Sequence, residues 1–232
     1  MASQSYPDIM AAKCGGIVLS SSYMGSVRYY ALMLAANETI VDASETGITH
    51  AWMHNHCRIC GANGVQQLVV PIDKSNYNAH TPMRDVVISN HGNWRHLHWG
   101  ALFSSYGKTP FFDYIADDLE RVIKGNQHYL VDLNAELQTL VIDFLDLPIS
   151  WNIANDAPHC DMMDLRGKVG DKRIVPTVPL SLHDVPYYQQ WADRTGFIPD
   201  LSIIDMLCNL GREAVFTLLS MSQPEQPTFQ KE

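Results

Sequence analysis

Short apolar runs bounded by turn residues fill the first part of this chain, up to about residue 90, whereas apolar residues at helical spacing dominate from Trp94 onward. A sheet and the helices that follow it must bury their apolar faces against each other, because each is apolar on one side. We therefore predict an α/β fold of the α+β type. A strand-rich N-terminal half with a β-hairpin should be layered against a helix-rich C-terminal half.

The N-terminal half contains a hairpin signal and a helix cap. Asn63-Gly64 separates two strand-like runs and favours a tight turn with positive φ, so these two runs should pair antiparallel. Ser26 is a typical N-cap for a helix over residues 27–36. The predicted strands are residues 16–20, 39–43, 51–60, 65–72 and 85–89.

The C-terminal half has a helical apolar period and one long interruption. Residues 155–186 combine prolines and mixed charges with weak periodicity, so we interpret them as an excursion loop or lid. We expect a flexible leader over residues 1–13, a single domain over 14–221 and a disordered tail over 222–232. The predicted helices are residues 94–106, 111–123, 129–145, 187–194 and 203–219.

The charge of the chain limits its partners. A formal net charge of -9 and a pI near 5.5 have the wrong sign for neutralising nucleic-acid phosphates, so we expect no nucleic-acid partner. Residues 1–13 lack the basic start and apolar stretch of a signal peptide, and no window reaches the roughly 18 apolar residues of a transmembrane helix. These features predict a cytoplasmic protein, and its five irregularly spaced cysteines indicate free thiols.

A cluster of histidines and cysteines has the ligand types of a zinc site, at His50, His54, His56, Cys57 and Cys60. On an extended strand, however, His54 and His56 share one face while Cys57 points the other way, and no second Cys-x-x-Cys completes four ligands. A redox Cys-x-x-Cys would need a helix N-terminus to lower a thiol pKa. We therefore predict ordinary strand packing and no metal here.

A second histidine cluster flanks Trp94. On a helix, Trp94 and His98 stand four residues apart on one face. An imidazole shielded by indoles is suited to act as a general base or ligand group, because its pKa lies near neutrality. The alternative is a partly buried helix histidine that makes one hydrogen bond.

Signature motifs of several enzyme classes are absent from the sequence: Gly-x-Gly-x-x-Gly, Gly-x-x-x-x-Gly-Lys, Gly-x-Ser-x-Gly and His-Glu-x-x-His. Dinucleotide, nucleoside-triphosphate, α/β-hydrolase and zinc-protease functions therefore have no sequence support, and no cofactor is identified. Cys14 precedes a strand, which is more typical of a buried apolar filler than of a nucleophile.

Several segments, in order and spacing, resemble the WbqC-like proteins of bacterial polysaccharide gene clusters. Family members usually carry Lys or Arg beside the strand that contains Asn55, whereas this chain has His50, His54 and His56. An anion site there would therefore depend on pH. The matching segments are LSSSYMG at 19–25 with Tyr29 and Tyr30; NHCRI at 55–59, GANG at 61–64 and LVVPI at 68–72; WRHLH at 94–98 and YGKTPFF at 106–112; and GFIPDLSIID at 196–205 with NLG at 209–211.

The resemblance implies a role in lipopolysaccharide O-antigen or other surface polysaccharide biosynthesis, with a small-molecule or sugar-intermediate substrate. Members of the family are often proposed to modify amino-sugar intermediates. The family pattern implies His98 and Tyr106 as catalytic residues, and its substrate-binding residues would be Tyr23, Asn55, Trp94, Asp205 and Asn209. Tyr106 could instead pack in the core, Asn209 cap a helix end and Asp205 pair locally.

Two hypotheses for the function follow. One is transfer of an acyl or aminoacyl group onto a nucleotide-linked or lipid-linked sugar, with His98 as general base. The other is a non-catalytic sugar-binding or scaffold protein, in which Trp94 and Trp99 stack on a sugar face. In both cases we expect Tyr23, Asn55, Trp94 and His98 to line a cleft between the strands and the helices.

Overall fold

The computed structural model describes residues 15–46, 52–75, 77–156, 162–169 and 182–221. The mixed α/β fold expected from the sequence is confirmed, with strands concentrated early and helices late. The strands are β1 (Ile17–Ser20), β2 (Thr39–Asp42), β3 (His56–Gly61), β4 (Gly64–Val69), β5 (Trp151–Ala154) and β6 (Met163–Asp164). The helices are α1 (Val27–Ala35), α2 (Trp94–Tyr106), α3 (Ala116–Ile123), α4 (Leu130–Leu145), α5 (Ala192–Thr195), α6 (Ile203–Leu210) and α7 (Ala214–Met221).

Four strands form a parallel sheet in the order β5-β2-β1-β6. Every residue of β1 and β2 is buried, as expected for parallel strands covered on both faces. Helix α1 connects these two strands, and Ser26 caps it by accepting a hydrogen bond from the Tyr29 backbone N–H. The register aligns Ser20 with Asp42, so polar residues of both strands end at the same edge of the sheet.

The predicted hairpin is confirmed. Strands β3 and β4 pair antiparallel, and Gly61 pairs with Gly64 across the turn. Gly64 has a φ of 97°, which explains why glycine follows Asn63 there. Helices α2 and α6 pack against β3, while α7 packs against α1, so helices join the hairpin and the parallel sheet around one apolar core.

One predicted strand starts later than expected, and another does not form. The run predicted as residues 51–60 starts as strand at His56, because the chain first makes a 3-10 turn at Trp52–His54. Residues 85–89 do not form a strand; they follow a 3-10 turn at Met83–Asp85 and make isolated bridges. In both places contacts with distant loops replace a continuous strand ladder.

The C-terminal elements also differ from the prediction. The helix predicted over residues 203–219 is two helices, because Gly211 adopts a φ of 59° between them. In place of the helix predicted over residues 187–194, the structure has the short helix α5, which begins at Ala192 and ends at Thr195. Strands β5 and β6 were not predicted, and β6 lies inside the range interpreted as an excursion loop.

Further findings concern the ends of the chain, its helices and its cysteines. The predicted leader at 1–13 and tail at 222–232 lie outside the described residues, as do 157–161 and 170–181 of the excursion loop. Within the described ranges, no helix has both the length and the apolar character that crossing a membrane requires. Cys57, Cys60 and Cys208 are buried free thiols, as expected; Cys14 and Cys160 fall outside these ranges.

Candidate functional site

Polar side chains meet where the parallel strands end. Arg166, just after β6, donates from Nη1 to Oδ2 of Asp42 at 2.5 Å, and its Nε and Nη2 donate to the two oxygens of Asp164 at 3.0 and 2.6 Å. The backbone N–H of Gly167 donates to Oγ of Ser20 at 2.9 Å. Open α/β sheets bind ligands at this carboxyl edge, so the position itself marks a candidate site.

The charges at this edge differ in exposure. The Asp42 side chain is fully buried, whereas that of Asp164 is 48% exposed and that of Arg166 is 29% exposed. The guanidinium of Arg166 holds the pKa of Asp164 below its ordinary value, so this carboxylate stays ionised. Asp42 therefore anchors Arg166 from inside, and Arg166 orients a carboxylate that solvent reaches.

A second layer of polar groups lies beneath the end of β1. Nδ1 of His54 is 2.8 Å from the carbonyl oxygen of Ser21, and the buried Asn134 donates from Nδ2 to both Ser21 Oγ and the His54 carbonyl at 2.9 Å. His54 is 1% exposed, and its Nε2 lies 3.7 Å from Oε2 of Glu45. Helix α4 thus supplies an amide that fixes the loop after β1 and the turn that precedes β3.

The structure brings three of the predicted site residues together. The hydroxyl of Tyr23 lies 2.8 Å from Nδ1 of His98, and the rings of Trp94 and His98 meet edge to face with centroids 5.0 Å apart. His98 also bonds to the backbone of Val69. Burial lowers the pKa of His98 to about 4, so its imidazole is neutral at pH 7.

Asn55 is a neighbour of this group through the hairpin. Its Nδ2 donates to the carbonyl of Val70 at 2.9 Å. Val70 is adjacent to Val69, whose backbone bonds to His98. Its Oδ1 lies 2.7 Å from Nδ1 of His56. In this geometry Asn55 fixes the start of the hairpin.

The other predicted residues form a separate cluster. Tyr106 is fully buried and its hydroxyl accepts the N–H of Cys60 at 3.1 Å. Asp205 accepts a 2.7 Å hydrogen bond from Tyr187. Burial raises the pKa of Asp205 to about 6, although the hydrogen bonds from Tyr187 and Tyr106 act to lower it. Asn209 donates to the Asp205 carbonyl and accepts the N–H of Gln190.

The two expected catalytic residues therefore lie in different surroundings. His98 and Tyr106 are eight positions apart on α2, which corresponds to about 12 Å along the helix axis.

Trp94 is 5% exposed, and Trp99 stacks on Phe112 with centroids 5.9 Å apart. Both indoles are thus engaged within the protein.

Two cavities differ in their position relative to these groups. A small one of about 20 Å³ lies between the loop after β1 and the hairpin, large enough for about one water molecule. Tyr23 lines it together with Arg58 and Asp200, whereas Asn55, Trp94 and His98 do not. A larger open groove of about 710 Å³ lies between α3 and α4, away from every predicted site residue.

His54, His56 and Cys57 of the histidine and cysteine cluster have separate partners. His54 bonds to Ser21 and His56 to Asn55, while Sγ of Cys57 contacts Sδ of Met24 at 3.9 Å. In the part of the chain that the structure describes, no three His, Cys, Asp or Glu side chains are placed to share a metal ion. His50 lies outside these ranges, so the prediction about a metal at this cluster stays a prediction.

Sequence reasoning missed the residues at the carboxyl edge. Asp42 ends an apolar strand, and a charged residue at that position is a recognisable signal in an α/β fold. Arg166 and Asp164 gave no such signal, because β6 is two residues long and lies in an aperiodic range. Asn134 and Gln138 were hidden in an apolar helix whose buried face they share.

Comparison with known proteins gives two matches. The model of the WbqC-like protein family matches residues 21–173, about two thirds of the chain. The uncharacterized protein Rv1507c of Mycobacterium tuberculosis is 25% identical over 221 residues, which cover 85% of this chain and 94% of that protein. No solved structure matches the chain significantly. The family match includes Asp42, Asp164 and Arg166, whereas Asp205 and Asn209 lie beyond it.

Proposed function

The chain belongs to the WbqC-like protein family, and from that premise we propose that it binds a sugar intermediate of surface polysaccharide biosynthesis, such as O-antigen assembly. The proposed binding site is the carboxyl edge of the parallel sheet. The observation that carries the proposal is the chain of contacts from the buried Asp42 through Arg166 to the half-exposed Asp164.

The chemistry of this edge fits a ligand rich in hydroxyl groups. An ionised carboxylate accepts hydrogen bonds, and sugar hydroxyls donate them, so Asp164 can hold a hydroxyl while Arg166 fixes its orientation. Two carboxylates there are balanced by the Arg166 guanidinium and by Lys168, whose Nζ donates to the Asp164 carbonyl at 2.6 Å, so the edge suits the uncharged hydroxyl groups of a sugar. The ligand would therefore bind through its sugar, with any phosphate outside the site.

Binding measurements with a charge-removing variant test this proposal. We expect Asp164→Asn to weaken binding of a cognate nucleotide-linked or lipid-linked sugar about tenfold or more, because it removes a charged acceptor. Asp117→Asn is the matched control, since Asp117 is an exposed aspartate on α3. Isothermal titration calorimetry against a panel of such sugars gives the readout. Binding of none of them, or equal binding by both variants, contradicts the proposal.

A second candidate function is acyl or aminoacyl transfer to an amino group of the sugar. The observation that favours it is the neutral, buried His98 hydrogen-bonded to Tyr23. In this reaction the amine attacks the carbonyl carbon of an activated acyl donor, and the new C–N bond forms as the bond to the leaving group breaks. The Tyr23 hydroxyl takes the amine proton while its own proton moves to Nδ1 of His98, and the same path returns a proton to the leaving group. Tyr106, two helical turns away, would act on a different part of the substrate.

A product assay separates transfer from binding alone. With a cognate sugar and acyl donor, His98→Gln should reduce kcat about 100-fold or more if His98 is the base, because general base catalysis contributes that much. His96→Gln, two residues earlier on the same helix, serves as the control. Binding without product in the unaltered protein would identify a sugar-binding or scaffold protein.

A further inference from the structure

Three buried side-chain atoms near the end of β1 have no hydrogen-bond partner within the described chain. They are Oε2 of Glu45, Oδ1 of Asn134 and the terminal nitrogen of Gln138. Asn134 and Gln138 are 2% and 4% exposed. Buried polar atoms are nearly always satisfied in native proteins, so three of them in one region indicate a missing polar group.

Contacts connect these residues in one series from Glu45 to Tyr29. Glu45 faces His54, and the His54 carbonyl accepts from Asn134, which precedes Gln138 by one turn of α4. Gln138 contacts the hydroxyl of Tyr29, and the pKa of Tyr29 is raised by burial and by the nearby charge of Glu45.

The single proton of the Tyr29 hydroxyl decides the orientation of the Gln138 amide. The hydroxyl oxygen lies 3.0 Å from the Ser20 carbonyl and 3.2 Å from the Gln138 amide. The proton goes to the Ser20 carbonyl, which can only accept, so the amide must donate to the Tyr29 oxygen through Nε2. This orientation satisfies Nε2 and leaves Oε1 of Gln138 as the unpartnered atom.

The amide of Asn134 is fixed in the same way. Its Nδ2 donates to the His54 carbonyl, which can only accept, so the unpartnered atom is the oxygen. All three open positions are then acceptors, and one of them is a carboxylate. A primary ammonium group carries three N–H donors and one positive charge, which matches this set. A Ca²⁺ ion would need six to eight oxygen ligands, more than these three acceptors offer.

We propose that Glu45, Asn134 and Gln138 form a binding site for a primary ammonium group of the ligand. Glu45 is the entrance, since its side chain is 18% exposed, and the two amides form the closed end. The site lies three residues beyond Asp42 along the chain, next to the sugar site proposed above. Placing the amine on a sugar rests on that proposed function; the ammonium site itself does not.

Matched ligands test the site. We expect methylammonium to bind to the full chain at pH 7, and glucosamine to bind at least about tenfold more tightly than N-acetylglucosamine, which lacks the charge and two of the donors. Glu45→Gln should weaken both amines by about tenfold or more, whereas Glu213→Gln, an exposed glutamate after α6, should leave them unchanged. Gln138→Met tests the closed end and should weaken the same two ligands.

Several outcomes overturn the inference. One is that neither methylammonium nor glucosamine binds; another is that glucosamine and N-acetylglucosamine bind equally. Competition by KCl as strong as that by methylammonium would identify a site for inorganic cations. Melting temperatures that match that of the unaltered protein would show that Glu45→Gln and Gln138→Met still fold. Failure of the sugar site appears separately, because Asp164→Asn should affect sugars with and without an amine alike, whereas Glu45→Gln should affect amines alone.

Discussion

The hydroxyl of Tyr23 lies 2.8 Å from Nδ1 of His98, and this hydrogen bond links the loop after β1 to helix α2 inside the protein. Tyr23 is fully buried and His98 is nearly so. The bond joins the sheet that carries the proposed sugar site to the helix that follows the hairpin. The other ring nitrogen of His98 donates to the backbone of Val69, so the proton is on Nε2 and Nδ1 accepts from the Tyr23 hydroxyl.

Removal of this hydroxyl should destabilise the protein. Tyr23→Phe leaves the buried Nδ1 of His98 without a donor, which should lower the free energy of unfolding by about 1–3 kcal/mol. Urea denaturation measures the change. Tyr114→Phe is the control, because Tyr114 is 74% exposed, and it should change stability by less than about 0.5 kcal/mol. Equal effects of the two variants would contradict a role for the bond.

His98 and Asp205 should make the free energy of unfolding depend on pH in opposite directions. The pKa of His98 is lowered from 6.5 to about 4, so the unfolded chain binds more protons between these values and stability is lost as the pH falls through them. The pKa of Asp205 is raised from 3.8 to about 6, so the folded chain binds more protons there and stability is lost as the pH rises. The two slopes oppose each other between about pH 4 and 6.

Asp205→Asn should expose the contribution of His98. Without the opposing carboxyl, the free energy of unfolding should fall more steeply on acidification from pH 6 to 4 than in the unaltered protein, by up to about 1.4 kcal/mol per pH unit. His98→Gln should change the slope in the opposite direction. Urea denaturation at several pH values measures both slopes, and parallel curves for all three proteins would refute this account.

Gly211 separates α6 from α7 and should not tolerate a side chain. Its φ is 59°, and an added Cβ would lie 2.5 Å from the ring of Phe111. We expect Gly211→Ala to lower the free energy of unfolding by at least about 1–3 kcal/mol. Gly100→Ala, inside α2 with nothing near the added Cβ, should instead stabilise by about 0.5–1 kcal/mol. Thermal and urea denaturation of the pair would show opposite signs.

Arg166→Met should be severely destabilising. It leaves the fully buried carboxylate of Asp42 without its cationic partner, and loss of one partner of a buried pair costs about 3–5 kcal/mol. Arg121→Met removes the exposed pair with Asp118 and should cost at most about 1 kcal/mol. Asp42→Asn combined with Arg166→Met should recover part of the loss. No recovery would mean that Arg166 acts mainly through Asp164.

Local chemistry made several elements predictable. Ser26 before the α1 segment and Gly64 after Asn63 act through hydrogen bonds and φ angles within a few residues, and both appear as expected. The α2 boundaries, Trp94 to Tyr106, also agree with the prediction, because the apolar period and the following Gly107 and Pro110 are local signals. The family resemblance was confirmed for the same reason, since it depends on short segments in order.

Tertiary contacts decided the rest. The sequence by itself determined the mixed α/β class, the hairpin and most helices, because their propensities and caps act over short distances. The structure alone decided that β6 completes the parallel sheet and brings Arg166 to Asp42, 124 residues apart in the chain. It likewise decided that His98 is neutral and that Asn134 and Gln138 face a polar interior. Burial and long-range pairing are properties of the packed chain, so no local pattern contains them.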